Sequence, residues 1–205
     1  MPADRSLTKW AEWLTERTPG PRFEIIDGLL LVTPVPDGPH AIVLTDVMLA
    51  CLNAGIDGDE TTVLQKVAVR LPTGPEDYAV PDLSVVDADI ASHLVENNCY
   101  APSCFRMVLE VTAENPNLDL DVKVRAYAAA GIPTYVIVDR TYHQLHVLTD
   151  PTRNGYSTHH VHTPGELVDL PDSVGGKVTL DVARLLEAGE ARISSDPGPC
   201  CGSTV

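Results

Sequence analysis

The stretch that most limits the fold runs from Phe105 to Asp139. Phe105 to Thr112 is almost continuously apolar and reads as a buried strand. Leu118 to Ala130 then carries a helix, with Asp119 and Asp121 in its first turn and Gly131 and Pro133 just past its end. Thr134 to Asp139 returns as a second strand. Strand, short helix, strand is a crossover unit, expected to be right-handed with its strands parallel. The chain is therefore read as one α/β domain, and the flanking segments must fit around this unit.

Upstream, Ser6 can cap a short helix carrying Trp10, Trp13 and Leu14, which Pro19-Gly20-Pro21 ends. Two apolar runs, Phe23 to Ile26 and Leu29 to Val32, flank Asp27-Gly28 and predict a hairpin. His40 to Leu52 has apolar residues at helical spacing, and Thr62 to Leu71 reads as one strand. Asp87 to Ser103 is loop-like or weakly helical, and Asn115-Pro116-Asn117 is a turn. Downstream, Gln144 to Leu148 and Tyr156 to His162 flank a turn-rich segment and predict an antiparallel pair. Leu180 to Leu186 predicts a short helix closed by Gly189. These patterns divide the chain into an N-terminal helix and linker (1–22), one domain with a mixed sheet flanked by helices (23–190), and a polar tail expected to fray (191–205).

Charge narrows the function. With 14 lysines and arginines against 29 acids, the net charge is −15, which argues against loose, nonspecific nucleic-acid binding. A local basic site, or a metal bridging to phosphate, remains compatible with it. No apolar run approaches the ~20 residues of a membrane span, and the N-terminus lacks a signal peptide's apolar core. The five cysteines lack CxxC spacing and read as reduced thiols. A cytoplasmic protein with no membrane partner is expected.

Two acids stand inside apolar strands. Asp82 opens Pro81-Asp82-Leu83-Ser84-Val85-Val86, and Glu110 lies within Met107-Val108-Leu109-Glu110-Val111-Thr112. A buried carboxylate must meet a cation, either a basic side chain or a metal, and spacing leaves both open. Asp82 also fits a Pro-Asp turn, and Glu110 an edge strand facing water. Asp119, Lys123 and Tyr127 share one helix face, an ordinary i,i+4 arrangement that also lets Lys123 lean towards the strand ends. Glu24 and His40 taken singly are more often structural than catalytic. His159, His160 and His162 lack a further ligand at zinc spacing, and no Walker, Rossmann or Gly-x-Ser-x-Gly pattern occurs.

Taken in order, Phe23-Glu24-Ile25-Ile26-Asp27-Gly28, His40, Pro81-Asp82-Leu83, Leu109-Glu110-Val111-Thr112, Asp119-x-x-x-Lys123-x-x-x-Tyr127, Gly131-Ile132-Pro133-x-Tyr135 and Val138-Asp139 form a series. The series resembles the Uma-two family of endonucleases, within the PD-(D/E)XK restriction-endonuclease-like superfamily. The resemblance implies a mixed sheet flanked by helices and hydrolysis of phosphodiester bonds in DNA. It implies Asp82, Glu110 and the Val111 carbonyl as ligands of Mg2+ or Mn2+. The superfamily lysine position, two residues after the acid, is Thr112 here, so the resemblance moves the lysine role to Lys123, with Lys66 a weaker substitute. Glu24 and His40 match family positions near the site. DNA is the implied partner, bound weakly or with help given the acidic charge, and a homodimer is left open. The competing readings are a nuclease fold that binds or regulates without cutting, and a metal-dependent hydrolase of small phosphoesters.

Overall fold

The computed structural model describes residues 6–112 and 118–191. Helix α1 (Leu7–Arg17) starts at Ser6, whose hydroxyl accepts from the Lys9 amide. The hairpin β1 (Arg22–Ile26) and β2 (Leu29–Thr33) turns at Asp27 and Gly28, both at positive φ as a tight Asp-Gly turn requires. Helix α2 (Gly38–Asn53) is capped by Asp37, whose carboxylate accepts from the His40 amide. Then follow β3 (Thr61–Gln65), β4 (Ala68–Arg70), β5 (Tyr78–Ala79), β6 (Leu83–Asp87), β7 (Leu94–Glu96), β8 (Cys99–Tyr100) and β9 (Phe105–Thr112). A π-helical turn, Leu118–Val122, leads into α3 (Lys123–Ala129). The chain closes with β10 (Thr134–Asp139), β11 (Gln144–Thr152), β12 (Gly155–His162), β13 (Leu167–Asp169), β14 (Thr179–Asp181) and α4 (Val182–Ala191).

Two six-stranded mixed sheets carry the fold, ordered β2-β1-β5-β4-β8-β7 and β12-β11-β10-β9-β6-β3. In the second, β9 and β10 run parallel with Glu110 opposite Ile137, as the crossover pattern predicts. Alternation along β9 divides its side chains between two cores. Met107, Leu109 and Val111 pack with Val47 and Cys51 of α2 and Leu185 of α4. Val108 packs with Tyr127 of α3 and with Ile26, Val69 and Ala79 of the first sheet, and Phe105 joins that core despite its parity, where the β6–β9 register shifts between Val85 and Val86. Glu110 is on that second face, so its carboxylate points between the two sheets.

Several expectations are corrected. Thr62 to Leu71 is not one strand. Lys66 adopts a positive φ of 55° and breaks it, sending β3 to one sheet and β4 to the other. Val63 and Val69 have the same parity, yet the break delivers them to opposite cores. The last helix does not begin at Leu180 or stop at Gly189. Leu180 pairs with Val168 in a β-ladder, Asp181 then caps the helix by accepting from the Arg184 amide, and the helix passes through Gly189. Leu118 to Ala130 is likewise not one regular α-helix. Its first turn is widened, and the Tyr135 hydroxyl donates to the Asp119 carbonyl there at 3.1 Å. The turn at 115–117, the tail and Cys200 and Cys201 lie outside the described residues. No helix among the described residues is long and apolar enough to cross a membrane.

Candidate metal centre

Asp82 precedes β6, and β6 pairs with β9 so that Leu83 faces Leu109. That register brings Asp82 beside Glu110 at the end of the sheet. Asp82 Oδ2 accepts from His40 Nε2 and from the Val111 amide, each at 3.0 Å. Glu110 Oε1 accepts from Lys123 Nζ at 2.7 Å and from the Tyr127 hydroxyl at 2.8 Å. Each carboxylate is thus pinned through one oxygen. The other two oxygens, Asp82 Oδ1 and Glu110 Oε2, both face the guanidinium of Arg22, at 2.7 and 3.5 Å. Glu24, from the same strand as Arg22, accepts from the Val80 amide at 2.7 Å and from Thr33, and lies 3.4 Å from Lys123.

The site opens into a pocket of about 330 Å³. Pro34, Val35, Pro36, Leu118 and Asp119 line it together with the exposed Lys66. Arg22, His40, Asp82, Glu110, Val111 and Lys123 line it, whereas Glu24 lies behind them.

The family profile for Uma2 (Uma-two), described as putative restriction endonuclease, matches residues 7–183. The chain belongs to the Uma2 family. A solved structure of a putative nuclease from Anabaena variabilis aligns with a TM-score of 0.63 at 16% identity, over 85% of this chain and 96% of that one. That likeness shows the fold. The type IIG restriction endonuclease BpuSI aligns at a TM-score of 0.38 and 15% identity, over 74% of this chain but only 16% of its own length. A TM-score that low carries no argument about fold. No curated protein matches the chain in sequence.

Electrostatics at the Uma2 site follow from burial and crowding. Burial by itself raises the Asp82 pKa, but the His40 hydrogen bond and the Arg22 charge outweigh it, and Asp82 stays ionised far below its usual range. An ionised carboxylate only accepts, so His40 Nε2 carries the proton in their contact. Burial drives Glu110 up to about 8, with Lys123 opposing and the Asp82 charge adding to the rise. Burial also works against charge on Lys123, yet Glu110, Glu24 and Asp119 together hold it protonated beyond its ordinary range.

All five residues singled out from the sequence, Asp82, Glu110, Lys123, Glu24 and His40, converge here. Lys123 supplies the ammonium that meets Glu110 at 2.7 Å, while Thr112, in the superfamily lysine position, donates its hydroxyl to Asp139 at 3.3 Å. Lys66 lines the pocket but is exposed. Arg22 was not anticipated. It fell in the segment read as a linker, although Arg22-Phe23-Glu24 at strand period places Arg22 on the same face as Glu24. A second acidic group, Asp87, Asp89 and His93, has ligating atoms within 4.8 Å of one another, but Asp87 is already held by Arg106 at 2.7 Å.

Proposed function

We propose that the chain is a divalent-metal-dependent endonuclease hydrolysing DNA phosphodiester bonds, with Asp82, Glu110 and the Val111 carbonyl as ligands of Mg2+ or Mn2+. The observation that carries this reading is the division of labour within each carboxylate. Protein donors fix Asp82 Oδ2 and Glu110 Oε1, and the remaining oxygen of each converges on one cationic position. Donors that orient a ligating side chain while leaving one atom free are what a metal site requires. The charges agree: among the described residues Glu24, Asp82, Glu110 and Asp119 crowd round Arg22 and Lys123, and the crowding that raises Glu110 and Asp119 is what a further cation relieves. A hard divalent ion with oxygen ligands fits that donor set and that crowding.

When bound, such an ion would acidify water and neutralise charge on the phosphate. The chain's own groups do the rest. Lys123, held against Glu110 on the pocket wall, is placed to orient the attacking water or stabilise developing negative charge. His40 keeps Asp82 ionised and aimed, and Glu24 retains Lys123 from behind. The net charge of −15 opposes DNA at long range, so binding is weak or aided by a partner, and a homodimer would offer two sites to two strands.

The test is nicking of supercoiled plasmid with Mg2+ or Mn2+ by the wild type, Asp82→Asn and Glu110→Gln. The expected outcome is nicking by the wild type alone, and undiminished nicking by both variants refutes the site. A second reading, a nuclease fold that binds without cutting, draws on the acidic charge and on the arginine between the carboxylates. It predicts no nicking by any of the three.

A further inference from the structure

We propose that Arg22 is a resident cation of this site, occupying between Asp82 and Glu110 the place a divalent ion takes, so that ion entry requires its guanidinium to withdraw. The inference rests on the metal-site reading above and adds what the site does without its ion.

Two buried carboxyls facing one position cannot both ionise freely unless a cation lies between them. Lys123 cannot serve, because its ammonium is committed to Glu110 Oε1, on the far side of that carboxylate from Arg22. Arg22 fills the gap with a planar fork. One terminal nitrogen is 2.7 Å from Asp82 Oδ1 and the other 3.5 Å from Glu110 Oε2. The same two oxygens are those left free by the protein donors, so guanidinium and metal ion compete for one position.

Arg22 is also held less completely than its neighbours. Its Nε is buried without a hydrogen-bond partner, 3.6 Å from Glu24, and its contact with Glu110 is long. Its side chain is 15% exposed and lines the pocket, whereas Lys123 is 1% exposed. An arginine with one short contact, two long ones and a side open to the pocket can leave. Glu24 offers it a carboxylate to keep when it does.

The experiment titrates Mn2+ into the full-length wild type, Arg22→Gln, Arg22→Lys and Asp82→Asn by calorimetry, with unfolding temperature measured for each protein with and without Mn2+. If the guanidinium must be displaced, Arg22→Gln binds Mn2+ more tightly by roughly tenfold or more, about 1.4 kcal/mol. The same variant is less heat-stable without the ion and gains more from it. Arg22→Lys keeps a charge but cannot bridge both oxygens, and falls between wild type and Arg22→Gln. It also serves if Arg22→Gln does not fold. A merely structural role for Arg22 would lower stability and leave Mn2+ affinity unchanged or reduced, and that result overturns the proposal. Heat that persists in Asp82→Asn, or its absence from every protein, overturns the metal-site reading itself. The two failures are therefore distinct.

Discussion

Replacing Lys123 with methionine gives the most direct measure of how the charges in this site depend on one another. The ammonium is buried at the pocket wall and lies 2.7 Å from Glu110, 3.4 Å from Glu24 and 3.4 Å from Asp119. Methionine fills most of the volume, so the change isolates charge rather than opening a cavity. Removing one partner of a buried ion pair costs about 3–5 kcal/mol, because the other partner stays buried and uncompensated. Here Arg22 remains to screen Glu110 and Glu24, which puts the expected loss at the lower end, about 3 kcal/mol. For a chain of this length each kcal/mol moves the midpoint by about 2–4 °C, so the melting temperature should fall by roughly 6–12 °C. The fall should also depend on pH. Uncompensated buried carboxylates escape the penalty by taking up protons, so the folded variant binds more protons than its unfolded chain. Its deficit relative to wild type must then grow as pH rises and shrink as pH falls. Divalent ion should restore part of the loss, about 2.7 kcal/mol at a hundredfold excess over Kd. Thermal unfolding followed by circular dichroism, across pH and with and without Mn2+, measures all three. A loss below about 1 kcal/mol with no pH dependence would refute the reasoning, since it would mean the carboxylates never needed the ammonium.

Other perturbations test separate parts of the geometry. Tyr127→Phe removes the hydroxyl that donates to Glu110 Oε1 at 2.8 Å, and should cost about 1.5–3 kcal/mol in urea unfolding while slowing any nicking. Asp37→Ala removes both the α2 cap and the paired contact with Arg140, and should lower stability by about 1 kcal/mol. Hydrogen bonds from Arg140 hold the Asp37 carboxyl below its usual range. That contribution is present above about pH 4 and lost as pH falls through the lowered value, so Asp37→Ala should flatten acid unfolding. Gly74→Ala places a new Cβ 2.7 Å from Asp77 Oδ1, whose carboxylate holds Gly28 and Thr73, and should lower the unfolding midpoint measurably.

The crossover was legible because its period and punctuation agree at every level, from the apolar β9 to Gly131 and Pro133 beyond α3. Asp82 and Glu110 stood out for a related reason, since acids inside apolar strands demand partners, whereas Lys123 came from its helix face and from the family resemblance. Arg22 was not, because an arginine after Pro19-Gly20-Pro21 looks like the end of a linker, and only the pairing of β1 with β2 and β5 turns it inward. The break at Lys66 escaped notice for the opposite reason. Its neighbours have good strand propensity, and neither glycine nor proline marks the turn. Asp181 hid as a cap because Leu180 before it continues the apolar spacing of the helix, while its real partner is Val168 across the ladder.

The ion-pair set spans both sheets, with Arg22 and Glu24 from one and Asp82 and Glu110 from the other. Arg22 meets Asp82 across 60 residues of chain and Glu110 across 88. No local segment holds the centre, and its closure must follow the loop entropy of bringing the hairpin home. The arrangement of these charges is then the property of the finished topology alone. Detachment of the β1–β2 hairpin would remove Arg22 and Glu24 together, leaving Asp82, Glu110 and Lys123 to balance one another.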